Sequence, residues 1–188
     1  LSRRAPAQMR LDPTPKAVAD ALPEGAAFVD LVEYRRERPV PGGKPAWKKE
    51  RRLLAFVTAW AGRVVRLDLG DGAEVDRLVL RFRAELAGEK EGDEAGQALR
   101  RLLWLPLERV VGAARLVLLS PDGYSALIPF AALPGAKRGT YLLEERSLGQ
   151  VPSARQLVAP PPGKGEGLLV AGGLSYPAGG KWKPLAGT

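Results

Sequence analysis

The chain has 188 residues, 45% of them hydrophobic and 27% charged, which is enough for one domain with a core of its own. It contains no cysteine and no histidine, so these residues alone cannot supply a disulfide, a thiolate metal site, a cysteine nucleophile or the commonest general base near neutral pH. A formal charge of +8 raises a nucleic-acid reading, but Arg35, Arg36, Arg38, Lys48, Lys49, Arg51 and Arg52, then Arg81, Arg83, Arg100 and Arg101, are spread along the chain and interleaved with acids. No nucleic-acid motif accompanies them, and with 22 Gly and 17 Pro they read as compositional bias and solvated faces.

Residues 1–20 are polar and proline-bearing and read as a loose lead-in. They lack an apolar signal segment, and no apolar run reaches the roughly 18 residues that span a bilayer, so a cytoplasmic protein with no membrane partner is expected. The chain begins with Leu, which suggests a piece of a longer one. Ala26–Arg36 reads as a strand, with Phe28, Val32 and Tyr34 on an apolar face and Val29, Leu31 and Glu33 on a mixed one. Glycine, proline and charge make Val40–Glu50 a loop. Strands over 52–60 and 63–69 then flank Ala61-Gly62 as a hairpin.

At this point the period changes. Val75, Leu78, Val79, Phe82 and Leu86 form one helical stripe over 75–86, preceded by Asp71 and Gly72 as start signals. Gly88–Gly96 is an acidic connector too polar to be buried. A second helix over 97–105 puts Leu99, Leu102 and Leu103 on one face and Arg100 and Arg101 opposite, and Pro106 kinks or restarts it. Arg115–Leu119 has no alternation and reads as a central strand. Asp122-Gly123 reverses the chain, and Leu127, Ile128, Phe130 and Leu133 return to the core. "TYLLEERSLGQ" gives a further strand, and Ser153 caps a short helix carrying Arg155 and Leu157. Ala159–Gly167 is a proline-then-glycine spacer, after which "LLVAGG" opens a new unit. The expected fold is α/β, a mixed sheet flanked by helices with an antiparallel strand extension.

Candidate chemistry is sparse. Gly179-Gly180-Lys181 precedes Trp182 rather than Ser or Thr, so the phosphate-loop spacing is not met. Glu144 and Glu145, adjacent on the expected strand, point to opposite faces and cannot share a substrate. Ser120, Ser125 and Ser153 have no base, and Asp122 in a turn bonds its own backbone. Of four tryptophans (Trp47, Trp60, Trp104 and Trp182), Trp47 and Trp182 lie beside lysines, which suits a partner interface or base stacking. No residue is assigned a catalytic, cofactor or metal role, and no cofactor is expected.

The order of the segments "ALPEGAAFVDLVEYRR", "RRLLAFVTAW", "VVRLDLGDGAEVDRLVLRFRAEL", "LLWLPLERVVGAARLVLLSPDGYSALIPFAALPG" and "YLLEERSLGQVPSARQL" resembles the amino-terminal half of a CHAT domain. The strand–PDG–LPFAAL-type block followed by "PSA" is its most specific part. CHAT domains are bacterial caspase-like cysteine peptidase domains, related to separases and commonly found after tetratricopeptide repeats. The resemblance implies a degenerate caspase-like unit over 21–158, a linker over 159–167 and the first strand and loop of an active unit over 168–188. Family His and Cys motifs of the type "ATHG" and "SACETG" lie beyond the strand that "LLVAGG" resembles. Many members have a noncatalytic His where Ala126 stands here. It further implies that loops near Ser175–Thr188 lie closest to the catalytic site.

The leading expectation is therefore a noncatalytic scaffold for a His/Cys dyad carried after residue 188, acting in bacterial stress or antiphage defence signalling. Its expected partners are the dyad-bearing segment, a protein substrate or activator, and preceding tetratricopeptide-type repeats. The alternatives are a stand-alone pseudo-peptidase adaptor binding protein through its Trp/Lys loops and, third, a basic nucleic-acid-binding domain. Nucleic acid is not the expected partner, because no motif supports it.

Overall fold

The computed structural model describes residues 13–39, 42, 47–59, 62–88 and 93–159. The first element is a helix, α1 (Pro15–Ala21), inside the stretch that composition marked as lead-in. The Thr14 hydroxyl accepts the Ala17 N–H at 3.1 Å and Pro15 opens the first turn, two start signals that outweigh the local polarity.

Strands β1 (Ala26–Pro39), β2 (Trp47–Ala59) and β3 (Val64–Asp71) form an antiparallel meander. Both β1 and β2 run further than expected. Trp47–Glu50, read as loop, is strand, because it pairs residue for residue with Arg36–Pro39. Ion pairs Lys49–Glu37 (3.2 Å) and Lys48–Glu50 (3.0 Å) offset part of the charge crowding there.

Helix α2 (Gly72–Leu86) is capped by Asp71, whose carboxylate accepts the Ala73 N–H at 2.7 Å. Its core stripe is Val75, Leu78, Val79 and Phe82, as the spacing predicts, but the last position is exchanged: Leu86 is 49% exposed and Glu85 is buried. The reason is chemical. The Glu85 carboxylate accepts the Ala95 N–H (3.1 and 3.4 Å) and pairs with Arg81 at 3.0 Å. It thereby replaces Asp93 as the cap of α3 (Glu94–Leu99), since Asp93 makes no capping bond. Ala95 and Gly96 are buried as a result, which corrects the reading of 94–96 as the end of a solvated connector.

From α3 the chain continues through a π-helical turn, Arg100–Trp104, into α4 (Leu105–Val111) without a break. Pro106 neither stops nor restarts the helix. The Leu105 N–H reaches back to the Arg100 carbonyl, and this wider turn accommodates a proline that has no N–H to give. Leu99 and Leu103 are fully buried, as expected, while Arg101 faces solvent. Arg100, expected on the solvent face, is buried.

Strand β4 (Leu116–Ser120) leads into two 3₁₀ turns, Gly123–Leu127 and Phe130–Ala132. Gly123 has φ +58°, where a side chain would be strained. Ile128, Phe130 and Leu133 are buried as predicted; Leu127 is 43% exposed. "LLEE" is not strand but a single helical turn, α5 (Leu142–Glu145), because the Glu144 carboxylate turns back to accept the Tyr141 N–H at 2.7 Å. Strand β5 (Ser147–Gln150) and helix α6 (Ala154–Val158) close the described chain. Ser153 stands at the cap position of α6 but makes no capping hydrogen bond.

The five strands form one mixed sheet in the order β3-β2-β1-β4-β5, with β1, β4 and β5 parallel. This is the α/β arrangement the sequence predicts. The main core lies on the face carrying Val29, Leu31, Ala55, Val57, Val117 and Leu119, under α2, α3, the π turn and α4. It includes Trp104, fully buried, whose indole N–H has no partner among the described residues. A smaller cluster on the other face joins Val18 and Leu22 of α1 to Ala26 and Phe28, with Leu116, Leu118, Leu157 and Val158 against it. Burying each such side chain contributes about 1.5–3 kcal/mol. The spacer at 159–167 beyond Ala159, the "LLVAGG" strand, Trp60 and Trp182 lie outside the described residues.

Candidate functional site

In open α/β sheets, ligands gather at the carboxyl ends of the parallel strands. Here that edge is formed by the end of β4 and the middle of β1, where Asp30 pairs with Ser120 in register. The two 3₁₀ turns follow immediately. The edge therefore gathers Asp30, Ser120, Asp122 and Ser125, three of which the sequence singled out.

The geometry at this edge is that of a latch. Asp122 accepts the Gly123 N–H at 2.8 Å with one oxygen and the Glu33 N–H at 3.0 Å with the other. The second bond satisfies a β1 donor just beyond the point where β4 pairing ends. The Ser125 hydroxyl donates to the Asp122 carbonyl at 2.6 Å and accepts the Asp122 N–H at 3.0 Å. Its proton is committed to a carbonyl and no base is near it, so it is not an activated nucleophile. Ser120 is buried beside Asp30. Burial pushes the Asp30 carboxyl above its ordinary range; the Ser120 hydrogen bond opposes that rise, and the negative charge of Asp122 adds to it.

The fold holds two ion networks, one against the latch, and linear spacing did not reveal either. Arg51 forks onto Glu33 (2.8 and 2.6 Å) and reaches Asp76 at 2.6 Å, tying β1 and β2 to α2. The hydrogen bonds it donates to Glu33 and Asp76 hold its guanidinium well above the ordinary arginine range. A side chain at Gly123 would meet the Glu33 carboxylate at 2.8 Å, so the turn and this network are fitted to each other.

The second network centres on Arg100. It donates to the Pro134 carbonyl at 3.0 Å and lies 3.7 Å from Glu108 and 3.9 Å from Glu145. Arg146 donates to the carbonyls of Gly112 (2.8 Å) and Ala114 (2.7 Å), and Glu145 accepts the Ala136 N–H. Glu144 and Glu145 therefore serve the local backbone, on a helical turn rather than on opposite faces of a strand.

A cleft of about 520 Å³ lies between α2, α3 and residues 132–141, with Phe82, Leu86, Pro134, Lys137 and Tyr141 among its walls. Neither a catalytic pair nor a ready-made ligand set lines it. Among the described residues there is no group of three or more acidic side chains that could hold a metal ion, and no helix is long and apolar enough to cross a membrane. Trp47 is 63% exposed on β2, and Trp104 is core.

Residues 93–183, a little under half of the chain, match the family model of the CHAT domain. The match spans α3 to α6 and includes the "SPDGYSALIPFAALPG" block and the "PSA" element; β1, β2, β3 and α2 lie outside it. No curated protein and no solved structure matches the chain.

Proposed function

We propose that the chain is the noncatalytic amino-terminal portion of a CHAT caspase-like cysteine endopeptidase, scaffolding a His/Cys dyad that a segment after residue 188 supplies. In this reading residues 21–158 are a degenerate caspase-like unit, 159–167 a linker and 168–188 the start of the active unit. The setting is bacterial stress or antiphage defence signalling. One observation carries the reading: a CHAT match over residues 93–183 in a sequence with neither histidine nor cysteine. The latch at the end of β4 supports it, because hydroxyls and carboxylates placed where an α/β site would act are consumed in capping.

The experiment is reconstitution. The chain is purified with and without the polypeptide encoded immediately downstream, over roughly 150 residues, about one domain length. Each preparation is assayed against a panel of fluorogenic peptides. Hydrolysis by the pair alone, abolished when the downstream cysteine is changed to alanine, is the expected result. Turnover by the chain by itself, or a downstream segment with no His and Cys at strand ends, overturns the proposal.

A further inference from the structure

The two faces of the sheet are unequally covered. On the face opposite the main core, α1 and α6 shield Ala26, Phe28, Leu116 and Leu118. Further along β1 and β2 the same face continues through Val32, Tyr34, Leu54 and Phe56, since Val32 is paired with Leu54 and Asp30 with Phe56. These four are half-buried and belong to neither core cluster. Beyond them β4 no longer pairs with β1, β3 pairs only as far as Arg52, and β1 and β2 run on as a two-stranded ribbon. Arg36 and Arg38 follow on the same face at the two-residue spacing of a strand.

The charges of the ribbon differ in one respect. Lys48, Lys49, Arg51 and Arg52 each have an acidic partner, Glu50, Glu37, Glu33 with Asp76, and Asp68 respectively. The guanidinium groups of Arg36 and Arg38 form no salt bridge or hydrogen bond among the described residues; Arg36 and Arg38 act on Glu50, and Arg36 on Asp68, only through space. The face is thus an apolar centre bordered by cations that no salt bridge ties down, which is the anatomy of a protein-binding patch.

We propose that this face, from Val32, Leu54 and Phe56 to Arg36 and Arg38, docks an acidic amphipathic helix of a protein partner. Charge complementarity sets the chemistry: arginine forks are matched by carboxylates. Length sets the form, because Val32 to Arg38 spans about 20 Å of strand, the length of about 13 residues of helix. Helices α1 and α6 already cover the neighbouring part of the face, around Ala26, Phe28, Leu116 and Leu118. A nucleic acid fits less well, since Val, Leu and Phe offer phosphate nothing and two arginines fall short of the roughly 6–10 phosphate contacts of a protein that binds through the phosphate backbone. A second copy fits less well, because two such faces oppose like charges.

The probe is a labelled synthetic helix of about 14 residues with leucines on one side and glutamates on the other, its length taken from the face it must span. Its leucine/lysine counterpart is the comparison, and fluorescence anisotropy is the readout. The glutamate helix binds and the lysine helix binds at least about tenfold more weakly, as expected for like-charge opposition. R36E/R38E weakens glutamate-helix binding by about tenfold or more, while R77E/R109E, the same charge change at exposed positions on α2 and α4, changes it less than about twofold. Phe56→Ser weakens it as well, with far-UV dichroism confirming the fold. Equal loss from the two double variants reduces the effect to net charge and overturns the proposal. So does equal binding of the two helices, tighter binding of a duplex of about 20 base pairs at about 0.15 M salt, or self-association abolished by Phe56→Ser. Because the readout is binding, it is independent of whether a reconstituted pair hydrolyses peptides.

Discussion

Replacing Gly96 by alanine sets two effects of opposite sign against each other. Gly96 lies inside α3, where alanine is favoured over glycine by about 1 kcal/mol. A Cβ there, however, would lie 2.7 Å from Phe82 Cε2, 3.1 Å from Phe82 Cδ2 and 3.1 Å from Pro134 Cδ. Carbon atoms pack at about 3.5–4.0 Å, so the ring must retreat by roughly 1 Å. Phe82 is only 3% exposed and is part of the main core, and the ring closure of Pro134 leaves it little freedom. Overpacking of this kind costs about 1–3 kcal/mol, so strain exceeds propensity and Gly96→Ala is destabilising by about 1 kcal/mol. At this chain length that lowers Tm by about 2–4 °C. In a Phe82→Leu background the ring contacts are gone and only Pro134 Cδ, at 3.1 Å, still opposes propensity, so the same substitution becomes more favourable by about 1 kcal/mol. Urea unfolding of the four proteins, followed by far-UV dichroism, measures both steps of the cycle. A stabilising Gly96→Ala in the wild-type background, or an equal effect in both backgrounds, refutes the reasoning.

Other substitutions probe the latch and the ion networks. Asp122→Ala removes the acceptor for two backbone N–H groups and lowers unfolding free energy by about 1–2 kcal/mol; an unchanged urea midpoint contradicts the latch. Asp30 has a folded-state pKa above its ordinary value, so its contribution to stability is full below the unfolded pKa and is lost as pH rises through the folded one. Asp30→Asn is therefore more stable than wild type near neutrality, and the difference shrinks below about pH 4, where both states of Asp30 are protonated. A pH-independent difference in urea titrations across that range refutes the assignment. Arg100→Ala leaves the Pro134 carbonyl without its charged donor and costs about 2–3 kcal/mol. Limited proteolysis detects it first between residues 134 and 146, and uniform cleavage elsewhere counts against a local anchor.

What could be read from the sequence was what depends on local periodicity. The stripe from Val75 to Phe82, the buried run before Ser120 and the Asp122-Gly123 turn each follow from spacing that a short window contains. Three departures share one cause, a partner outside a short window. Glu85 is buried because Ala95 needs a cap, and Arg100 because Pro134 offers a carbonyl. Trp47–Glu50 is strand because residues 36–39 lie opposite it. "LLEE" turns helical through a capping bond that strand propensity does not anticipate. At the candidate site, Ser120, Asp122 and Ser125 were visible as a group, but Glu33, Arg51 and Asp76 come together only when three elements pack. Arg36 and Arg38 share one strand, and the register of β1 and β2 sets them opposite Glu50 and Lys48.

The sheet order has a consequence for how the chain folds. β1 meets β2 across a turn and β2 meets β3 across another, so the meander can close from neighbouring residues. The other side of β1 waits for β4, with Ala26 set against Leu116 across some ninety intervening positions. Closing so long a loop is entropically slow, so parallel pairing comes after the meander and its helical cover. During synthesis the meander therefore leaves the ribosome with the β1 edge unpaired, in addition to that of β3, and available to other chains. Asp30 lies on that edge and Glu33 just past the stretch β4 will occupy, and their charges oppose stray strand addition until β4 arrives.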